Sequence, residues 1–136
     1  MDATMFRRMR VRPGSRVRVI GAPGPYPESD DIQPVDQGEA EVVHLFIDSR
    51  DQCVARFPEA VAACAPGGVI WVSYPKSKGK QTYDINRDSL WAVLLDAGHH
   101  PVSQVALDDQ WSAVRVKKNE EGSIPVPPPN VRRAVI

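Results

Sequence analysis

Hydrophobic and polar positions along this chain form five short stretches that predict β-strands. Residues 42–47 and 69–74 are continuous apolar runs, the pattern of strands covered on both faces. Residues 16–20 alternate arginine with aliphatic residues, which is typical of a strand with one solvated face. Residues 102–107 and 111–116 are separated by Asp-Asp-Gln, so we expect them to pair as an antiparallel hairpin. The pattern therefore predicts a sheet of five strands.

A helical pattern separates the two continuous apolar runs. Asp48 or Ser49 can cap this helix, which is predicted to end at Ala65-Pro-Gly-Gly68. Pro58 lies in its middle and either kinks the helix or begins its second half, because proline lacks a backbone donor and clashes with the preceding turn. The apolar positions at helical spacing are Val54, Phe57, Val61 and Cys64.

A second helical pattern follows the loop at residues 75–83. Asp84 is predicted as its N-cap, and Ser89 to Ala97 continue the helix. Gly98 is placed where a helix often ends in a left-handed residue. The predicted core side comprises Leu90, Trp91, Leu94 and Leu95.

Three further segments differ in composition from these elements. Residues 1–15 predict a loose or partly helical arm, and residues 26–41 predict an acidic, proline-containing loop with at most one short element. Residues 117–136 join a hydrophilic linker to a Pro-rich stretch that favours an extended polyproline conformation. That tail either docks into an aromatic groove on a partner or packs along its own domain. We therefore expect an arm at 1–15, an α/β domain at 16–116 and a linker with tail at 117–136.

Length and composition place these elements in one small domain. The chain has 136 residues, of which 42% are hydrophobic and 25% charged, as is ordinary for a single globular domain. The predicted fold class is α/β, a Rossmann-like three-layer sandwich with a short, mostly parallel sheet and a C-terminal antiparallel hairpin. Numbered along the chain, the strands are expected in the spatial order first, second, third, fifth and fourth, with the last strand antiparallel.

The charge distribution argues against a general affinity for polyanions. Seventeen basic and 17 acidic side chains leave no net charge, so no global field draws the chain to nucleic acid or an anionic membrane. The first 18 residues are nonetheless rich in arginine, which indicates either a solvated strand face or a polyanion contact. No apolar run suits a membrane helix or the core of a signal peptide, and a cytoplasmic location is expected.

Several motifs follow one another in order over residues 14–116. They are Val69-Ile-Trp-Val-Ser-Tyr-Pro-Lys76, Asp84-Ile-Asn-Arg-Asp-Ser-Leu-Trp91 and Asp108-Asp109-Gln110-Trp111-Ser112-Ala113. Together they resemble the core of a family of small bacterial proteins of unknown function. The order of elements, with Ala65-Pro-Gly-Gly68 before a strand, is similar to the C-terminal half of the class I S-adenosylmethionine-dependent methyltransferase fold. The resemblance implies a shortened methyltransferase-like fold and carries no assigned reaction.

The segment after the first predicted strand departs from the methyltransferase pattern. In that family a glycine-rich turn holds the methionine end of the cofactor, and an acidic residue ending the second strand holds its ribose. Here residues 21–27 contain three prolines, which remove backbone donors, and no clear helix and second strand follow. Asp30, Asp31 or Asp36 would reach a ribose only through a rearranged loop. We therefore expect no cofactor, with S-adenosylmethionine as the one alternative.

The loop after the third predicted strand is the predicted ligand site. It leaves the carboxyl end of a central strand, where ligands bind in open α/β sheets. The candidate residues for an anionic ligand are Lys76, Ser77, Lys78, Lys80, Asp84 and Arg87. The alternative is a loop kept soluble by lysine, in which Asp84, Arg87 and Asp88 form a helix cap and a structural ion pair. No catalytic residue is assigned, because catalysis by these carboxylates needs a pKa raised by burial.

Cysteine, histidine and tryptophan residues point to no separate site. Cys53 and Cys64 match no metal or redox spacing and are predicted to be small buried side chains. The three histidines lack further ligands at metal-binding spacing, so no metal site is predicted. Each tryptophan lies in an apolar pattern, which favours core packing over a base-stacking platform.

Two functional hypotheses follow from the sequence. The first is a non-catalytic binding or interaction protein whose partner is an anionic small ligand or another protein. The second is a small S-adenosylmethionine-dependent transferase that completes its site by dimerisation or through residues 26–41. A homodimer is compatible with both, and neither nucleic acid nor a membrane is expected as a partner.

Overall fold

The computed structural model describes residues 1–77 and 83–120, which form one six-stranded sheet and three helices. The strands are β1 (Ser15–Ile20), β2 (Ile32–Val35), β3 (Ala40–Phe46), β4 (Cys64–Pro75), β5 (His99–Ala106) and β6 (Trp111–Lys118). The helices are α1 (Thr4–Arg8), α2 (Arg50–Ala63) and α3 (Arg87–Asp96). No helix in the described ranges is both long and apolar enough to cross a membrane.

The sheet has the order β2-β1-β3-β4-β6-β5. Strands β1 to β4 pair in parallel, whereas β6 runs antiparallel to both β4 and β5. The predicted fold class and strand order are therefore confirmed. One strand was missing from the prediction, because β2 lies in the segment 26–41 and adds a parallel edge next to β1. Its four residues include Pro34, and such a short stretch carries almost no periodic signal.

The buried runs of the central strands supply both faces of the sheet. Along β3, Val43 and Leu45 pack under α2 and α3, and Val42 belongs to the core on the opposite face. Because side chains alternate along a strand, one apolar run serves two cores. The first core also contains Phe57 of α2 and Leu94 of α3.

Helix α2 begins where the sequence predicts, but its buried side differs from the prediction. The Ser49 hydroxyl caps the helix by accepting the Gln52 N–H at 3.1 Å. The predicted core positions Val54 and Val61 are 61% and 39% exposed. The buried positions are Cys53, Phe57, Ala60 and Ala63. Cysteine and alanine let the helix lie close to the sheet, and their weak hydrophobicity hides the true stripe from a pattern based on large residues.

The segment Ala65-Pro-Gly-Gly68 belongs to a strand and not to the end of the helix. Helix α2 ends at Ala63, and the half-buried Cys64 begins β4. A Cβ atom at Gly68 would lie 2.7 Å from the Glu41 carbonyl oxygen, so glycine is required for the close approach of β3 and β4. The register of this strand pair shifts between Ala40 and Val42.

Helix α3 is capped by a residue other than the predicted one. Asn86 accepts the Ser89 N–H at 3.0 Å, and Ser89 accepts the Asn86 N–H at 2.9 Å, which together form a capping box. Asp84 instead accepts the N–H of Arg50, the first residue of α2, at 3.0 Å. The predicted N-cap at Asp84 is therefore wrong. Gly98, at φ +77°, follows the helix end as predicted.

The N-terminal segment packs on the face of the sheet opposite α2 and α3. Helix α1 buries Met5 and Phe6, and Met9 follows it into the same core. These side chains pack with Val17 and Trp71 of the sheet. The segment predicted as a loose or partly helical arm thus includes the helix that covers part of this face.

Candidate functional site

The carboxyl ends of β1, β3 and β4 meet around a small cavity of about 250 Å³. Gly21 follows β1, Asp48 lies just beyond β3, and Pro75 ends β4. Arg56 of α2 and Trp111 of β6 complete the lining. This is the edge at which open α/β sheets bind their ligands.

The Arg56 side chain occupies the space directly above the turn that follows β1. Gly21 has φ +74°, and a Cβ atom there would lie 2.5 Å from Arg56 Nη1. Arg56 Nη1 donates to the Phe46 carbonyl oxygen at 3.0 Å, at the end of β3. Gln52 Oε1 lies 3.4 Å from the same nitrogen and accepts the Asp48 N–H at 2.8 Å. The Arg56 guanidinium, held by the Phe46 carbonyl and the Gln52 side-chain amide, therefore occupies the space next to Gly21.

The chain between β1 and β2 runs without a helix from Gly21 to Asp31. Strand β2 then pairs in parallel with β1, with Val35 opposite Arg18. Asp36 follows β2 directly, so the structure corrects the expectation that no second strand and no position for an acidic residue exist. Its exposed carboxylate lies beyond the carboxyl end of the second parallel strand.

A buried histidine forms a polar network beside this edge. His44 is fully buried in β3, with Nδ1 2.7 Å from the Tyr26 hydroxyl and Nε2 2.6 Å from Ser73 Oγ. Burial lowers the pKa of His44 to about 3 and raises the pKa of Tyr26. The imidazole is therefore neutral at physiological pH. Ser73 is also fully buried, so no substrate reaches its hydroxyl and the trio acts as a core network.

The two cysteines differ in burial and neither is activated. Cys53 is fully buried, as predicted, and burial raises the pKa of its thiol to about 12. Cys64 is half-buried, and burial raises its pKa with a further contribution from Glu39. Both thiols stay protonated at neutral pH, and a protonated thiol is a poor nucleophile.

Three of the predicted ligand residues already have hydrogen-bond partners within the fold. Lys76 Nζ donates to the Asp108 carbonyl oxygen at 2.9 Å and so ties the end of β4 to the hairpin turn. Asp84 accepts the backbone N–H of Arg50. Ser77 Oγ accepts the Tyr83 N–H at 3.3 Å.

Of the other predicted ligand residues, Arg87 lies within the described part of the chain and two lysines do not. Arg87 is exposed as the first residue of α3. Lys78 and Lys80 lie outside the described residues, as does the Pro-rich tail. The lysine-loop site therefore stays a prediction.

Comparison with solved structures assigns this architecture. The fold matches a methyltransferase from Geobacter sulfurreducens in complex with S-adenosyl-L-homocysteine (TM-score 0.57, 12% identity, 85% of this chain and 89% of that one). It also matches one from Thiobacillus denitrificans in complex with the same molecule (TM-score 0.54, 9% identity, 86% and 90%). A ribosomal protein L11 methylase from Lactobacillus delbrueckii matches with TM-score 0.52 and 11% identity over 85% and 75%. The chain has a methyltransferase-like fold.

Sequence comparison finds no such match. No protein-family model and no curated protein matches the chain. The predicted methyltransferase-like fold is confirmed. Sequence identities of about a tenth support the fold alone and assign no role to individual residues.

Two residues at the carboxyl edge of this methyltransferase-like fold escaped the sequence analysis. Arg56 lies four residues after Gln52 on α2. An arginine in an amphipathic helix normally indicates a solvent-exposed position, so the pattern gives no sign of a role at the carboxyl edge. Asp36 was considered only as a loop residue because β2 was not predicted. A carboxylate immediately after a short Ile-Gln-Pro-Val stretch is the one local signal that points to a strand end here.

Proposed function

We propose that this chain is a binding or interaction domain that uses a methyltransferase-like fold without transferring methyl groups. The observation that carries the proposal is the Arg56 guanidinium above Gly21, hydrogen-bonded to the end of β3. In methyltransferases the turn at this place brings its backbone close to the cofactor. Here a side chain of the protein itself occupies that space.

Three further features of the carboxyl edge fit poorly with an adenosylmethionine site. The cavity of about 250 Å³ is smaller than the roughly 300–1,000 Å³ of pockets that enclose drug-sized ligands. Pro23, Pro25 and Pro27 present no backbone N–H to a ligand. In the described chain no helix N-terminus follows β1 to receive an anionic group. The residues present therefore do not fit the cofactor as they stand.

A second candidate function, a small adenosylmethionine-dependent transferase, is favoured by one specific juxtaposition. Gly21 follows β1 with a positive φ, and Asp36 follows the parallel β2. These are the two places at which methyltransferases hold the methionine end and the ribose of the cofactor. Two of the matched structures were determined in complex with S-adenosyl-L-homocysteine. Under this alternative, dimerisation or a rearranged 26–41 segment completes the site.

Titration calorimetry of the full chain with S-adenosyl-L-homocysteine separates the two functions. We expect no heat of binding from protein that shows a cooperative thermal melt. Binding in the micromolar range, about −8 kcal/mol, would overturn the proposal in favour of the transferase. In that event Asp36→Asn should weaken binding about tenfold, and Asp109→Asn, an exposed carboxylate in the β5–β6 turn that does not line the edge cavity, serves as the matched control.

The Arg56→Ala variant tests whether the guanidinium is what excludes the cofactor. It removes the side chain above Gly21 and leaves the backbone of β1 and β3 in place. If this variant binds S-adenosyl-L-homocysteine and the wild-type chain does not, Arg56 is the block. If neither binds, the proline-containing turn also excludes the cofactor, and the proposal holds on both features.

The lysine loop with Arg87 is the proposed contact for an anionic ligand or partner in this function. Because Lys76 also stabilises the hairpin turn, Lys78→Ser with Lys80→Ser is the cleaner variant. Lys117→Ser with Lys118→Ser, at the end of β6, removes the same charge elsewhere. Loss of partner or anion binding from the first pair alone is the expected result. We also propose a cytoplasmic location and a homodimer, as predicted from the sequence.

A further inference from the structure

A groove of about 790 Å³ crosses the face of the sheet that carries α1. Trp71 and Val69 of β4 form part of its lining, and its rims are rich in arginine. We call it the arginine groove and define it by Arg8, Arg10, Arg12, Val69, Trp71 and Arg115. It lies on the sheet face, whereas the cavity at Arg56 lies at the carboxyl edge.

The positive charge of Arg10 and Arg12 is not neutralised by the described residues around the arginine groove. Arg10 and Arg12 make no side-chain hydrogen bond or ion pair within the described ranges. Arg8 Nη1 donates to the Ala106 carbonyl oxygen at 2.8 Å, and its guanidinium has a favourable charge interaction with the Asp2 carboxylate. The acidic lining residue Glu41 is already engaged, because its Oε2 accepts Arg16 Nε at 2.9 Å. A chain with no net charge therefore carries a local excess of positive charge here.

Arg10 adopts a backbone conformation that favours glycine. Its φ is +56°, and among the described residues it is the one non-glycine position with positive φ. Its N–H donates to the Arg7 carbonyl oxygen at 3.0 Å, and the Val11 N–H donates to the Phe6 carbonyl oxygen at 2.9 Å. These two bonds form a Schellman motif at the end of α1, whose left-handed position is usually glycine. Backbone outliers of this kind concentrate at functional sites, so the conformation of Arg10 supports a binding role for its side chain.

The floor of the groove is apolar and includes the Trp71 ring. Trp71 is 3% exposed, and its indole N–H has no hydrogen-bond partner among the described residues. Because that N–H is itself buried, Trp71 contributes apolar ring surface to the groove and not a donor to a bound molecule. The neighbouring Val69 adds apolar surface to the same lining.

We infer that the arginine groove binds a phosphate-bearing small molecule of about nucleotide size, with Arg10 and Arg12 contacting its phosphate oxygens. Guanidinium groups pair with phosphate through two parallel hydrogen bonds, which suits arginine better than lysine. The groove volume falls within the roughly 300–1,000 Å³ of small-molecule sites. Single-stranded nucleic acid fits less well, because base stacking needs exposed aromatic rings and Trp71 is buried.

The inference does not depend on the state of the carboxyl edge. Arg56 and Gly21 line the edge cavity, and none of the residues that define the arginine groove does. The titration with S-adenosyl-L-homocysteine and the titration below can therefore fail separately.

The test is calorimetric titration of the full chain with inorganic triphosphate, with ATP and with a single-stranded oligonucleotide. We expect triphosphate and ATP to bind, and Arg10→Ala with Arg12→Ala to weaken both at least tenfold. Lys117→Ala with Lys118→Ala removes the same charge outside the groove and should change binding less than twofold. Lys78→Ser with Lys80→Ser should also leave it unchanged, which separates this groove from the lysine loop.

The Arg10→Gly variant separates a binding role from a structural one. Glycine relieves the left-handed strain, so the melting temperature should rise while triphosphate affinity falls about fivefold or more. Absence of triphosphate binding, binding of the oligonucleotide alone, or equal losses in the groove and control variants would each overturn the inference. Unchanged affinity in Arg10→Gly would remove Arg10 from the site and overturn its assigned role.

Discussion

The two faces of the sheet differ in how far the described helices cover them. Within residues 1–77 and 83–120, one face is covered by α2 and α3 around a core of 17 buried residues, whereas the other carries the five-residue α1 and a core of nine. Burial of apolar surface is the main favourable term in folding, so the first face supplies most of the stability. In the described part of the chain, the second face carries the arginine groove. The two faces therefore differ in how much of each is covered, and the proposed binding site lies on the one that is covered less.

The largest expected effect belongs to the face that α2 and α3 cover. Phe57→Ala should lower the free energy of unfolding by about 3–5 kcal/mol, because it removes a large buried ring from the first core. Urea unfolding measures this change. Val54→Ala, on the exposed side of the same helix, should change stability by less than about 0.5 kcal/mol. Similar losses from both variants would return the helix to the orientation predicted from sequence.

The face that carries α1 should still depend on that helix. Met5 is fully buried in the second core, so Met5→Ala should destabilise the chain by about 2–3 kcal/mol. The same urea titration provides the measurement, and Arg7→Ala, an exposed neighbour in α1, is the control. A loss below about 0.5 kcal/mol would mean that residues 1–15 behave as a dispensable arm.

The buried network on the α1 side of β3 should make stability depend on pH. The pKa of His44 is about 3 in the folded chain, against about 6.5 for an unfolded histidine. Below about pH 6.5 the unfolded state therefore binds a proton that the folded state does not. This contribution is complete above that pH and is lost at about 1.4 kcal/mol per unit as the pH falls toward 3.

Comparison of wild type with His44→Gln isolates that dependence from the titration of carboxylates. Between pH 7.5 and pH 5 the wild type should lose about 2 kcal/mol more than the variant. Urea unfolding at the two pH values gives the four free energies needed. Parallel profiles would contradict the burial of a neutral imidazole.

The capping of α3 is expected to matter less than either core. Asn86→Ala should reduce stability by about 1 kcal/mol, because it removes the acceptor for the Ser89 N–H. Asn86→Ser retains a capping oxygen and should stay close to wild type in a thermal melt. A larger effect from Asp84→Ala on α3 helicity, followed by amide hydrogen exchange, would restore the predicted cap.

The smallest effect carries the sign opposite to all the others. Arg10→Gly should stabilise the chain by about 0.5–1 kcal/mol, since relief of a left-handed arginine is worth about 1–2 kcal/mol and the larger unfolded-state entropy of glycine offsets part of that gain. A thermal melt against Arg7→Ala, an exposed neighbour in α1, provides the comparison. A destabilised variant would mean that the Arg10 side chain supports the turn itself.

Local sequence patterns were sufficient for most of the elements. The apolar runs of β3 and β4 are long enough to be recognised alone, and the β5–β6 pair is joined by a short polar turn. The Ser49 cap and the position of Gly98 also follow from local backbone chemistry. These features depend on residues that are close together in the chain, so local sequence patterns identify them.

Errors arose where a residue's role depends on a distant segment. Asp84 resembles the cap of its own helix, yet it binds the first N–H of α2. Lys76 resembles an exposed loop charge, yet it binds the carbonyl oxygen of Asp108. Each choice is between chemically equivalent partners, and only the packing of the elements brings one of them within hydrogen-bonding distance.

The sequence alone therefore predicted the fold class and the order of five of the six described strands, and it indicated that the turn after β1 departs from the methyltransferase pattern. The tertiary structure decided which side chain lies against that turn and which residues line the arginine groove. Arg56 reaches Gly21 because α2 packs across the ends of β1 and β3. The arginine groove combines Arg10, Trp71 and Arg115, which lie far apart in the chain. Periodicity records which side of an element is buried, whereas a site made by several elements exists only once the sheet has assembled.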